Sequence, residues 1–252
     1  MRPWPVVSVV AVAAFLGGCD RVASVTGRKA AAVYLLFDIS GSTQSTELHD
    51  RNTKAAEEIA DRIAKNGGVI FGDVIGSEAL NSSTLPVHVL FPVYNPLKTT
   101  DKKFNEETTR ARETLRQQVR AACAGKTPTA RTALMASLEM AGKVFNGEQA
   151  KALPERRLVI FSDMVEESEN YDFTRERLTP ARIQAIVEAE RKAGRLPHLT
   201  GVRVWKAGAA SVALDDNRNR DLERFWIAYF KAAGADLAPE HFGPTLLDFT
   251  VD

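Results

Sequence analysis

Two stretches of this chain, AAVYLLF at 31–37 and RLVIFS at 157–162, are apolar at nearly every position instead of alternating with polar residues. A strand with one wet face alternates; a strand covered on both faces does not. Burial on both faces belongs to the middle of a parallel sheet. Parallel neighbours need crossover connections, which are usually helices. These two runs therefore predict an α/β fold: a doubly wound, mostly parallel central sheet with helices on both faces, in three layers.

The segments around them fit that prediction. A helix is expected over 45–65, with Ala55, Ala56, Ile59, Ala60 and Ile63 on one face and Gly67-Gly68 as its stop. Val69–Ile75 and Val87–Val93 read as strands, separated by a polar loop at 77–86 and closed by Asn95-Pro96. Further helices are expected over 105–122, 132–145, 180–193 and 219–233. The last has the clearest period: Leu222, Phe225, Trp226, Tyr229, Phe230 and Ala233 recur at helical spacing and read as core. A strand at Val202–Trp205 and a final one at Leu246–Phe249 complete the prediction. The acidic run EESE at 166–169 reads as a solvated loop. Tyr171, Phe173 and Trp205 follow no pattern that assigns them.

The front of the chain has a different character. MRPWPVVSVVAVAAFLGGC opens with Arg2, continues through the apolar run Val6–Leu16, and closes on two glycines before Cys19. That is the charged, apolar and small-residue order of a secretory signal. The run is shorter than the ~20 residues of a comfortable membrane span. Leu16-Gly17-Gly18-Cys19 resembles a bacterial lipobox. The resemblance implies cleavage after residue 18, lipidation of Cys19 and a polar tether over 19–30. The domain at 31–252 would then be anchored to a bacterial membrane, facing the periplasm or the exterior. Asp20 resembles an inner-membrane retention signal of enterobacterial lipoproteins.

Charge and residue usage exclude several classes. Arg2 is the only charged residue ahead of Cys19, so the remainder carries equal numbers of basic and acidic side chains. With no dominant basic run, electrostatic binding of nucleic acid is not expected. His49, His88, His198 and His241 are scattered without the spacing of zinc ligands. Cys123 has no second cysteine within the domain and reads as a small buried apolar side chain.

Candidate chemistry lies at the strand ends. In open α/β sheets, ligands bind beyond the carboxyl ends of the strands. Asp38 ends the first apolar run and Asp163 follows the second, with no lysine or arginine beside either in sequence. Such carboxylates cost desolvation unless something pairs with them, and one shared cation would satisfy both. Asp38-Ile39-Ser40-Gly41-Ser42 adds two hydroxyls at alternate positions, with Gly41 permitting a tight path. Hard oxygens of this kind suit Mg²⁺, Mn²⁺ or Ca²⁺.

This DxSxS string after a buried strand resembles the metal-ion-dependent adhesion site of von Willebrand factor type A domains. The family also expects a threonine on a loop before a long helix and an aspartate after the fourth strand. Thr132 in RTALMASLEMA answers the first, with Thr129 as the alternative, and Asp163 answers the second. Glycine usually follows that aspartate; here Met164 does. The resemblance implies a cation, Mg²⁺ foremost, held by Asp38, Ser40, Ser42, Thr132 and Asp163. It implies a non-enzymatic binding module that captures a carboxylate of a protein partner.

Two other readings use the same residues. A strand-end aspartate could act as the nucleophile of a metal-dependent phosphohydrolase, but such enzymes place a second aspartate two residues on, where this chain has Ser40. The domain could also be a structural scaffold. No GxSxG elbow, HExxH helix or P-loop lysine motif occurs.

Overall fold

The computed structural model describes residues 29–39, 46–76, 85–124, 131–246 and 249. Six strands form one sheet: β1 (Ala31–Asp38), β2 (Gly68–Ile75), β3 (Val87–Phe91), β4 (Glu155–Phe161), β5 (Arg203–Ala207) and β6 (Phe242–Gly243). Their order is β3-β2-β1-β4-β5-β6. All neighbouring pairs are parallel except β2 with β3. The expected α/β architecture is present, with one antiparallel edge strand.

The helices α1 (Thr46–Asn66) and α2 (Asp101–Ala124) cover one face. Ala56, Ile59, Ala60 and Ile63 of α1 and Leu115 and Val119 of α2 meet Val33, Leu35, Phe37, Val159 and Phe161 there. The other face is covered by α3 (Leu134–Asn146), α5 (Pro180–Lys192) and α6 (Asp216–Ala232), the short α4 (Glu148–Lys151) intervening in sequence. Tyr34, Leu36, Leu158, Ile160 and Val204 pack on that side against Leu138, Phe145, Ile186, Trp226 and Phe230. Every residue of β1 is buried, so the absence of alternation in the sequence reports burial on both faces. At about 1.5–3 kcal/mol for each large apolar side chain fully buried, β1 and β4 are the strands that hold the sheet between its helices.

Local signals set the ends of the elements. Gly67 (φ 79°) and Gly68 (φ 142°) turn the chain from α1 into β2, and a Cβ on Gly68 would lie 2.1 Å from the Ala31 carbonyl oxygen. Only glycine allows that approach. Pro180 opens α5 behind Thr179, whose hydroxyl accepts from Arg182 N–H. Asp215 caps α6 by accepting from Arg218 N–H at 2.9 Å.

Among the described residues the last strand is Phe242–Gly243, and the strand expected over Leu246–Phe249 falls in part outside the described residues; Phe249 packs its ring edge-on against Trp205, 5.1 Å between centroids. Two expectations need correction. The strand expected over Val87–Val93 stops at Phe91, since Pro92 lacks the N–H to continue a ladder. The run EESE is not wholly solvated: Glu166 is 1% exposed, while Glu169 is exposed. Phe173 and Trp205, unassigned from sequence, are core. Cys123 is buried as expected, and burial pushes its thiol up to about 11. Among the described residues, no helix is long and apolar enough to cross a membrane.

Candidate functional site

The strand order reverses between β1 and β4. From β1 the chain runs to α1 on one face; from β4 it runs to α5 on the other. Connections diverging in this way leave a crevice at the carboxyl ends of the two strands, the position where open α/β sheets bind ligands. Asp38 is the last residue of β1, and Asp163 lies two residues past the end of β4. The two sequence-predicted aspartates therefore flank the switch point.

Their surroundings are tightly built. Asp38 is buried, and its Oδ2 accepts from Ser162 Oγ at 2.7 Å. Ser162 Oγ in turn accepts from Met164 N–H at 2.9 Å, so one hydroxyl ties β1 to the segment leaving β4. Asp163 Oδ1 accepts from Val165 N–H at 3.1 Å. Burial pushes the Asp163 carboxyl above its ordinary range; Val165 N–H opposes this, the charge of Asp38 adds to it, and the Ser211 hydroxyl and Lys206 oppose it. The two acids therefore feel each other, as carboxylates gathered at one site must.

The fold also brings a cation to the rim that the local sequence does not show. No basic residue neighbours Asp163 along the chain, yet β5 brings in the charge of Lys206, which is 3% exposed. Its Nζ donates to the carbonyls of Gly208 at 2.5 Å and Ala209 at 3.2 Å. Burial pulls this lysine down to about 8, against the raising effect of Asp163 and Glu223.

Met164 occupies the position where glycine was expected, and it takes the backbone that glycine favours, φ 68°. A left-handed conformation at a residue with a Cβ costs roughly 1–2 kcal/mol. The side chain is fully buried in the core, and the Met164 carbonyl accepts from Trp226 Nε1 at 2.8 Å, which offset that cost. The path of the loop survives the loss of glycine because α6 holds it.

Thr132 lies just ahead of α3 and is buried. Its carbonyl accepts from Glu167 N–H at 2.8 Å. The helix begins behind Ala133, which has no side-chain acceptor to cap it. Glu166 supplies one from 31 residues away, its Oε2 accepting from Met135 N–H at 2.9 Å. Ser40, Ser42 and Thr129 lie outside the described residues, as does Cys19.

The donor chemistry suits a hard ion. Asp38, Asp163 and Thr132 are oxygen donors on segments joined by the hydrogen bonds of Ser162 and Glu167. Among the described residues no three His, Cys, Asp or Glu side chains form a metal-holding group, so a cation here would need hydroxyls beside the two aspartates. Sequence reasoning missed Ser162, Glu166 and Lys206. A serine at a strand end and a glutamate in an acidic run carry no periodic signal. For Glu166 the available clue was a helix starting behind Ala133 with no local cap.

No family model matches the chain, and no curated protein matches it. Solved structures similar to it include proximal thread matrix protein 1 from the mussel byssus, 13% identical with a TM-score of 0.44, covering 80% of this chain and 41% of that one. Another is the manganese-loaded TRAP protein of Plasmodium vivax, 13% identical with a TM-score of 0.45, covering 78% of this chain and 63% of that one. A third is the pilus adhesin SpaC of Lactobacillus rhamnosus GG in its open conformation, at 8% and 0.47, covering 85% and 27%. The chain spans less than two thirds of the length of each.

Proposed function

We propose that this chain is a binding module of the von Willebrand factor type A kind, with a divalent cation at the sheet's carboxyl rim. Asp38, Ser40, Ser42, Thr132 and Asp163 would hold the ion, Mg²⁺ foremost, and a partner protein would complete it with a carboxylate. The observation that carries this reading is the position of Asp38 and Asp163 on either side of the switch point, close enough for their charges to interact.

Two carboxylates just balance a divalent ion, and hydroxyl ligands add no charge. Such an ion keeps its attraction for a further anion. At ~4 Å and an effective dielectric of about 20, a unit-charge pair interacts by about 4 kcal/mol before desolvation. Lys206 adds positive charge at the same rim, which favours an acidic partner over a basic one. The roles proposed for the chain's residues are binding and orientation, and no catalytic step is assigned to them. We also propose lipid attachment at Cys19, which would hold the module at a bacterial membrane facing outward.

Mg²⁺ or Mn²⁺ titrated into the full-length chain should raise its melting temperature, reversibly with EDTA, and Asp38→Ala should abolish the rise. The same substitution should abolish capture of an acidic partner from detergent-solubilised membranes. A wild-type melting curve indifferent to both ions and to EDTA would rule the cation out.

A further inference from the structure

The segment leaving β4 does more than carry Asp163. Within six residues it reaches three other parts of the rim: Ser162 to Asp38, the Met164 carbonyl to Trp226, and residues 166–167 to the start of α3. The third link is double. The Glu166 carboxylate accepts from Met135 N–H at 2.9 Å, and Glu167 N–H donates to the Thr132 carbonyl at 2.8 Å. Adjacent residues on one segment thus grip both sides of the turn that begins α3.

Ordinary helix capping does not need this arrangement. A serine or aspartate in place of Ala133 could cap α3 locally, at no cost in buried charge. Here the acceptor is a carboxylate 1% exposed to solvent. Burying a carboxylate is costly even when hydrogen-bonded. What it supplies that a local cap does not is a fixed distance between the Thr132 turn and the loop bearing Asp163.

Resting on the cation reading above, we propose that Glu166 is the positioning residue of the site. It touches no ion itself; it clamps the α3 turn to the β4 loop so that Thr132 stands in register with Asp163. Partners of this kind orient the ligands of a metal site, and their loss weakens metal affinity without removing a ligand.

The test compares the full-length wild type with Glu166→Ala, Glu166→Gln and Glu190→Gln, using Mn²⁺ affinity by calorimetry and amide exchange across 131–135 in metal-free protein. Glutamine keeps an acceptor for Met135 N–H and should bind Mn²⁺ close to wild type. Alanine should weaken binding by about tenfold or more, with faster exchange at Leu134 and Met135. Glu190 is an equally buried acid in the same layer, bonded to Tyr171 and Arg195. Its variant should lower stability and leave Mn²⁺ affinity alone.

Wild-type affinity in Glu166→Ala would overturn the proposal, as would a loss in Glu190→Gln equal to that in Glu166→Ala. Wild type that binds no Mn²⁺ would defeat the cation reading instead. Exchange then decides the clamp: unchanged protection at Leu134 and Met135 in Glu166→Ala overturns it, and loss confined to that turn supports it.

Discussion

The two ends of the central strands treat charge in opposite ways. At the amino ends, opposite charges meet: Glu155 lies 3.1 Å from Arg157, 2.7 Å from Arg203 and 3.8 Å from Lys29. Arg157, with no exposed surface, also lies over the rings of Trp205 at 5.5 Å and Phe249 at 5.7 Å. At the carboxyl ends, half-buried Asp163 lies within reach of the charge of buried Asp38, and Glu166 is buried against a helix start. One end is arranged for stability. The other keeps Asp38 and Asp163 together, with Lys206 supplying some opposing charge, an arrangement that folding alone does not reward.

Breaking the matched end should have the largest effect. Arg157→Ala removes a fully buried side chain, its contacts with two rings and one of Glu155's partners. A loss of about 3–5 kcal/mol is expected by urea denaturation. A loss below about 1 kcal/mol would show that Lys29 and Arg203 suffice for Glu155.

A pH effect comes next. Burial raises the Glu166 carboxyl to about 7 from an ordinary value near 4.5. A carboxyl raised on folding binds its proton more tightly in the folded state. The stability this contributes is complete below the unfolded value and is lost as pH rises through about 7. Wild type should therefore lose on the order of 3 kcal/mol between about pH 4.5 and pH 7 from this group. Glu166→Gln should flatten the slope in thermal melts across that window, and an unchanged slope would assign the effect to other groups.

The sharpest test of the contrast has the opposite sign. Without metal, Asp163→Asn keeps an acceptor for Val165 N–H and removes the charge facing Asp38. It should stabilise the protein by about 1 kcal/mol in EDTA while eliminating any melting shift with Mg²⁺. Destabilisation in EDTA would mean that the charge at this rim is structural. The smallest effect serves as a control. Arg112 and Asp61 form a 3.0 Å ion pair between α2 and α1 with both side chains exposed, and Arg112→Ala should change stability by no more than about 0.5 kcal/mol.

Legibility from sequence followed the range of each interaction. Uninterrupted burial of β1 and of Arg157–Phe161 in β4 and the helical stripe of α6 leave their pattern in consecutive residues, so those elements were readable. The strand-end aspartates were readable for the same reason. The pairing of Phe242–Gly243 was not: a two-residue strand carries no period, and β5 selects it. Glu166 looked solvated because its neighbours in the run are polar, while its partner Met135 lies on another element. Lys206 looked remote from Asp163 until β4 and β5 paired.

By itself, then, the sequence determined the layers and the strand ends that carry Asp38 and Asp163, because burial on both faces of β1 and β4 leaves apolar runs whose limits are marked by polar residues. Tertiary structure alone decided which end of the sheet balances its charges, which serine bridges the two central strands and which glutamate grips the turn of Thr132. Those choices depend on side chains tens of residues apart reaching hydrogen-bond distance, and no local spacing encodes a distance of that kind.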